Sequence, residues 1–86
     1  MVVEAYILFK VSSGTEREAC EKIVDFPEVV VADIIYGEYD ILARISVQNL
    51  QMLEEFLAEK VRKVPSVILT STMIIAREYK GKTRRK

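Results

Sequence analysis

The sequence predicts an α+β domain of the ferredoxin-like kind, ordered β-α-β-β-α-β, with a four-stranded antiparallel sheet and both helices on one face. Three observations lead there. The chain opens on a run that alternates with a period of two; two later stretches carry apolar residues every three or four positions; and β-branched runs lie between and after them. A right-handed crossover in each half then makes this topology the economical one.

The elements follow in order. Val3, Ala5, Ile7, Phe9 and Val11 share one parity, Glu4, Tyr6, Leu8 and Lys10 the other, and this marks a first strand from Val3 to Val11. Ser12-Ser13-Gly14 breaks it. Thr15 is placed to cap a helix, with Glu18 reaching back to complete a capping box and Ala19, Cys20, Ile23 and Val24 forming the apolar stripe. Pro27 disfavours helical geometry at Phe26, so this helix should stop near Asp25. The β-branched run from Val29 to Tyr36, the Gly37 to Asp40 connection and the run from Ile41 to Ile45 read as a hairpin. Ser46 can cap a second helix whose stripe is Leu50, Leu53, Leu57, Val61 and Val64, closed by Pro65. The last strand runs from about Val67 to Ala76, and a tail without periodicity follows.

Two helices cover only one sheet face, yet the strands are apolar on both. Tyr6 and Leu8 oppose Ile7 and Phe9, Ile34 opposes Ile35, and Met73 and Ile75 oppose Ile74. An antiparallel sheet with one wet face alternates cleanly between apolar and polar, so this second face should be covered. Leaving it wet would forgo on the order of several kcal/mol in a domain whose net stability is small. The expected cover is the same face of another copy, in a two-fold dimer with sheets packed face to face.

Composition narrows the rest. At 86 residues the chain is one small domain, and its single cysteine, Cys20, allows no internal disulfide. Cys20 reads as a small buried hydrophobe in a reducing compartment. Oligomerisation is the remaining common source of added stability. No apolar stretch approaches the ~20 residues of a membrane span and no basic segment precedes the first apolar run, so the expectation is a soluble cytoplasmic protein without membrane contact. The thirteen basic and thirteen acidic residues balance, but Lys80, Lys82, Arg84, Arg85 and Lys86 lie at the end, which leaves the body with a net charge of minus five. That division makes residues 1–79 a domain and 80–86 a basic tail, a solvated terminus or a contact for phosphate or for a neighbouring subunit's acidic body.

Catalysis finds little support. Without histidine there is no Ser-His-Asp or Cys-His site and no His-ligated metal; one cysteine makes no thiolate cluster, and the three glycines are scattered. No cofactor, metal or catalytic residue is expected. Glu54-Glu55 reads as solvated helix surface, and Glu38 with Asp40 lacks a partner nucleophile or electrophile. An RNA-recognition domain would carry aromatics on its third strand, and Asp40-Ile41-Leu42-Ala43-Arg44-Ile45 has none.

Two polar islands stand out against this frame: Gly37-Glu38-Tyr39-Asp40 between two strands and Thr70-Ser71-Thr72 inside the last apolar run. Each has a purely structural reading. Gly37 can supply a positive φ for the turn and Asp40 can bond turn N–H groups, while threonines suit strands and pair across them.

The ordered set Ala5-Tyr6-Ile7-Leu8-Phe9-Lys10-Val11, Pro27-x-Val29, Tyr36-Gly37-Glu38-Tyr39-Asp40-Ile41, Leu53-x-x-Phe56, Val64-Pro65-Ser66-Val67 and Thr70-Ser71-Thr72-Met73-Ile74 resembles the effector domain of the Lrp/AsnC transcription regulators, the RAM domain (regulation of amino acid metabolism). The similarity extends to about Tyr79. Members that bind DNA carry a preceding helix-turn-helix domain, whereas this chain starts at the first strand and so resembles the stand-alone RAM proteins.

The resemblance implies a domain that dimerises through its sheet, assembles into rings of dimers such as an octamer, and binds small amino acids between subunits. It also implies a role in regulating transcription or amino acid metabolism, without direct sequence-specific DNA binding. Gly37, Tyr39 and Asp40 match the effector-loop motif, and Thr70, Ser71 and Thr72 match the polar segment of the last strand. An amino acid is a zwitterion. Its ammonium wants a carboxylate, Asp40 first and Glu38 second; its carboxylate wants N–H groups near Gly37 or hydroxyls from Thr70 and Thr72. Ile35, Ile41 or Met73 could receive an aliphatic side chain, and micromolar affinity is expected. The alternative is a module that binds no ligand and co-assembles with full-length Lrp/AsnC regulators, altering their assembly.

Overall fold

The computed structural model describes residues 2–82. Four antiparallel strands, β1 (Val3–Val11), β2 (Val29–Ile34), β3 (Ile41–Val47) and β4 (Val67–Ile74), form one sheet in the order β2-β3-β1-β4. The helices are α1 (Glu16–Ile23) and α2 (Leu50–Glu55). This is the ferredoxin-like arrangement.

The period of two sorts β1 as the sequence requires. Ala5, Ile7 and Phe9 are fully buried and Val11 nearly so, in one core with Ala19 and Ile23 of α1, Ile41, Ala43, Ile45 and Val47 of β3, and Leu53. Phe26 packs edge-on against Phe56 at 5.7 Å between ring centroids and closes the core beneath the first crossover.

Four local expectations need correction. Thr15 does precede α1, but its hydroxyl donates to the Ser12 carbonyl at 2.6 Å and no capping box forms with Glu18. The tight turn around Gly14, φ +86°, supplies that carbonyl, so the hydroxyl is satisfied behind the helix and not in front of it. Ser46 lies within β3, and Asn49 caps α2 by accepting from the Met52 N–H at 2.9 Å. The hairpin strand β2 stops at Ile34, two residues short of Tyr36.

The fourth concerns the second helix, which is α-helical only to Glu55. It continues as a π turn over Phe56–Lys60 and a 3₁₀ turn over Val61–Lys63. The Val61 N–H donates to the Phe56 carbonyl, five residues back, and the buried positions are Leu53, Phe56, Val61 and Val64. A spacing of five between Phe56 and Val61 keeps both on the core side only if one turn is widened, which the π turn does. Leu57 is therefore half-buried and Leu50 exposed, where a uniform stripe would have buried them.

The opposite sheet face carries an apolar patch, and no helix among the described residues covers it. Strand register places on it Tyr6 and Leu8 of β1, Leu42 of β3, Val31 of β2, and Leu69 and Met73 of β4. Val31, Leu69 and Met73 are each about half exposed, at 46%, 53% and 47%. Such a contiguous patch is the signature of an interaction surface.

Candidate functional site

The hairpin connection between β2 and β3 is held at its base by backbone. The Ile35 N–H donates to the Asp40 carbonyl, and the Asp40 N–H donates to the Phe9 carbonyl, each at 2.9 Å. The Asp40 carboxylate then reaches the neighbouring strand, where its Oδ2 accepts from the Val11 N–H at 2.9 Å. Asp40 thus fastens the loop to the end of β1.

Gly37 sits at φ +152°, where an L side chain is strained even though nothing within 4 Å would meet a Cβ. Its conformation turns the Glu38-Tyr39 backbone towards β1. There Lys10 Nζ donates to the Glu38 carbonyl at 3.1 Å. Lys10, Gly37, Glu38, Tyr39 and Leu69 line a shallow cleft of about 360 Å³. A cation, a carboxylate, loop backbone and an apolar wall meet there. These are the groups a small zwitterion needs.

The structure brings Gly37, Glu38 and Tyr39 together, but it distributes the other expected residues. Asp40 also borders a second cleft, of about 390 Å³, with Gly14, Glu16, Arg17, Ile34, Ile35 and Tyr36. Thr70 and Thr72 pair with Phe9 and Ile7 and so share the helix side of the sheet, whereas Ser71 pairs with Leu8 on the open face. Thr70 borders a separate groove beneath Leu57, Val61 and Pro65. Among the basic-tail residues, Lys80 and Lys82 are exposed, and Arg84, Arg85 and Lys86 lie outside the described residues.

Sequence reasoning missed Lys10 and Leu69 as parts of the cleft. The signal was available for Lys10. It shares the parity of Tyr6 and Leu8, which makes it the charged end of an apolar row. At the other end of that row Arg44 donates to Glu4 Oε1 at 2.5 Å and to the Tyr6 hydroxyl at 3.3 Å, and pairs with Glu78 at 3.3 Å. Its guanidinium also stands over the Tyr6 ring, 5.5 Å from the centroid. The Glu4 hydrogen bond, ahead of every other influence, pushes the Arg44 pKa above its ordinary value. No three His, Cys, Asp or Glu side chains among the described residues are grouped to hold a metal ion, and no described helix is long and apolar enough to cross a membrane.

The family model for the Lrp/AsnC ligand binding domain matches residues 4–85. The chain belongs to that family. A curated relative, the HTH-type transcriptional regulator FL11 of Pyrococcus furiosus, is 35% identical over 79 residues, which are 92% of this chain and 52% of the regulator. The chain spans about half the length of the curated Lrp/AsnC relatives it matches. Among solved structures, the Pyrococcus horikoshii protein PHS023 superposes with a TM-score of 0.82 at 40% identity, covering 98% of this chain and 100% of that one. The complex of the Neisseria meningitidis transcriptional regulator NMB0573 with L-Met gives a TM-score of 0.82 at 19% identity, covering 94% of this chain and 54% of that one, a likeness of fold.

Proposed function

We propose that this Lrp/AsnC ligand-binding domain binds a small amino acid in the Lys10–Gly37–Tyr39 cleft, catalyses no reaction on it, and works in the cytoplasm within a homo-oligomer linked to control of transcription or amino acid metabolism. The observation that carries this reading is the convergence of Lys10 with the loop Gly37-Glu38-Tyr39 on one cleft at the end of the open sheet face. The Lys10 ammonium and loop N–H groups receive the ligand carboxylate. Glu38 receives its ammonium, while Asp40, held by the Val11 N–H and not among the residues lining this cleft, fixes the loop. Leu69 receives an aliphatic side chain. Thr70 and Thr72, on the helix side of their own sheet, reach such a ligand only from a neighbouring subunit. The L-Met complex of the structurally similar Neisseria regulator supports the ligand class. The basic tail from Lys80 onward contributes only non-specific, salt-sensitive contacts to nucleic acid.

A thermal-shift series over the common amino acids tests this. Ligand at a hundredfold excess over its dissociation constant adds about 2.7 kcal/mol, which raises the Tm by several degrees. A second reading is favoured by the open apolar face together with the relationship to FL11: a ligand-free module that joins full-length regulators in mixed assemblies. Absence of any shift, with association to such a regulator retained, selects it.

A further inference from the structure

The chain beyond β4 turns back onto the open face. The Ile75 N–H still donates to the Glu4 carbonyl at 2.8 Å, as a continuation of the strand would. Glu78 then reaches Arg44, with its Oε2 3.3 Å from Arg44 Nη1. Arg44 belongs to β3, on the far side of β1 from β4, and its guanidinium stands over the Tyr6 ring of β1. Residues 75–78 therefore carry the chain from the β4 edge to the Glu4 and Tyr6 end of the open face.

Charge, and not burial, holds the segment there. Residues 76–80 are all exposed, so almost no apolar surface is gained by their position. Glu78 is the only acidic residue after Glu59, and it lies between Arg77 and Lys80. Its side chain is half exposed, and the guanidinium that it meets is already bonded to Glu4. A pair of this kind contributes weakly in water. The contact closes with little gain and opens at little cost.

What opens it follows from its place. A body that covers the open face packs against Tyr6, Leu8, Leu42 and Met73. Two sheets meeting face to face stand about 10 Å apart, a space that their side chains fill. A backbone segment resting over Tyr6 and Arg44 has no room in that layer.

We propose that residues 75–79 form a latch, held by Glu78 on Arg44, which is displaced when the open face is covered, so that covering the face frees the basic end from Lys80 onward. This rests on the reading of the open face as the surface through which the chain associates, and adds a consequence of association. The body carries a net charge of minus five, and the closed latch keeps the basic end beside it. The open latch offers that end to phosphate. By linkage, a polyanion that takes the freed end favours the covered state in return.

Trypsin cleavage after Lys80, followed by mass spectrometry of the full chain and scaled to an unstructured reference peptide in the same tube, tests the latch. Wild-type cleavage should quicken about threefold as the protein concentration is raised through the range in which sedimentation shows association. Glu78→Gln and Arg44→Met should be cleaved at the faster rate at every concentration. Arg44→Met is included because Glu78→Gln also alters the sequence that trypsin reads. A rise in fewer than both variants overturns the latch. A wild-type rate that stays flat or falls on association, with both variants fast, overturns its displacement. A chain that stays monomeric throughout overturns the association reading and the displacement with it, while the two variants still decide the latch.

Discussion

Asp40 and Val11 are joined across the end of the sheet: the Val11 N–H donates to Asp40 Oδ2 at 2.9 Å, while the Asp40 N–H binds the Phe9 carbonyl at the same distance. One residue of the β2–β3 connection is therefore part of the strand ladder. A hydrogen bond to a charged acceptor contributes about 1.5–3 kcal/mol, so Asp40→Ala should lower the unfolding free energy by about 2 kcal/mol. Asp40→Asn, which retains an acceptor oxygen, should lose less. Urea unfolding of the two variants checks the order.

Lys60 and Glu28 are the second such pair. Lys60 Nζ donates to Glu28 Oε2 at 2.6 Å and lies over the Phe26 ring; the Glu28 side chain is only 18% exposed and its Oε1 has no hydrogen-bond partner. Lys60→Met leaves that carboxylate without its cation, at a cost of about 2 kcal/mol. Adding Glu28→Gln should recover part of the loss. If the second substitution deepens it, the pair is not what holds this corner.

The limits of the sequence are themselves physical. The strands and the burial of β1 were legible because a period of two leaves no ambiguity once one face is apolar. The second helix was not, because Leu57 and Phe56 both suit a buried position and only packing selects Phe56, through the π turn that carries the chain to Val61. The caps show the same limit. Thr15 and Ser46 have the right chemistry, but the Thr15 hydroxyl is bonded backwards to Ser12 and Ser46 lies within β3. In the cleft, the Gly37 loop stood out for its breaks in apolarity, whereas Lys10 is distant in sequence and joins the loop only through sheet register.

Burial, and after it the charge of Asp33, raise the Cys20 thiol pKa above the ordinary value. A pKa raised on folding adds stability that is complete below the unfolded value and lost as pH rises through the folded one. Wild type should therefore lose stability relative to Cys20→Ala above about pH 8.5. Alkylation of the native thiol at pH 8 should also run slower than in the unfolded chain. Equal rates in the two states would count against a shielded Cys20.

The open sheet face gives a sharper contrast. Leu8→Asp places a charge at its middle and should abolish self-association while leaving the circular dichroism spectrum intact, since Leu8 points away from the core. Val24→Asp, exposed at 49% beside α1, should associate as wild type. Sedimentation of both variants distinguishes the sheet face from the helix side.

Calorimetric titration of the stabilising amino acid into wild type, Lys10→Met and Glu38→Ala tests the central claim most directly. The account predicts micromolar binding to wild type and a loss of at least tenfold in each variant, about 1.4 kcal/mol or more, without a matching fall in the ligand-free Tm. Undiminished binding by both variants would contradict it.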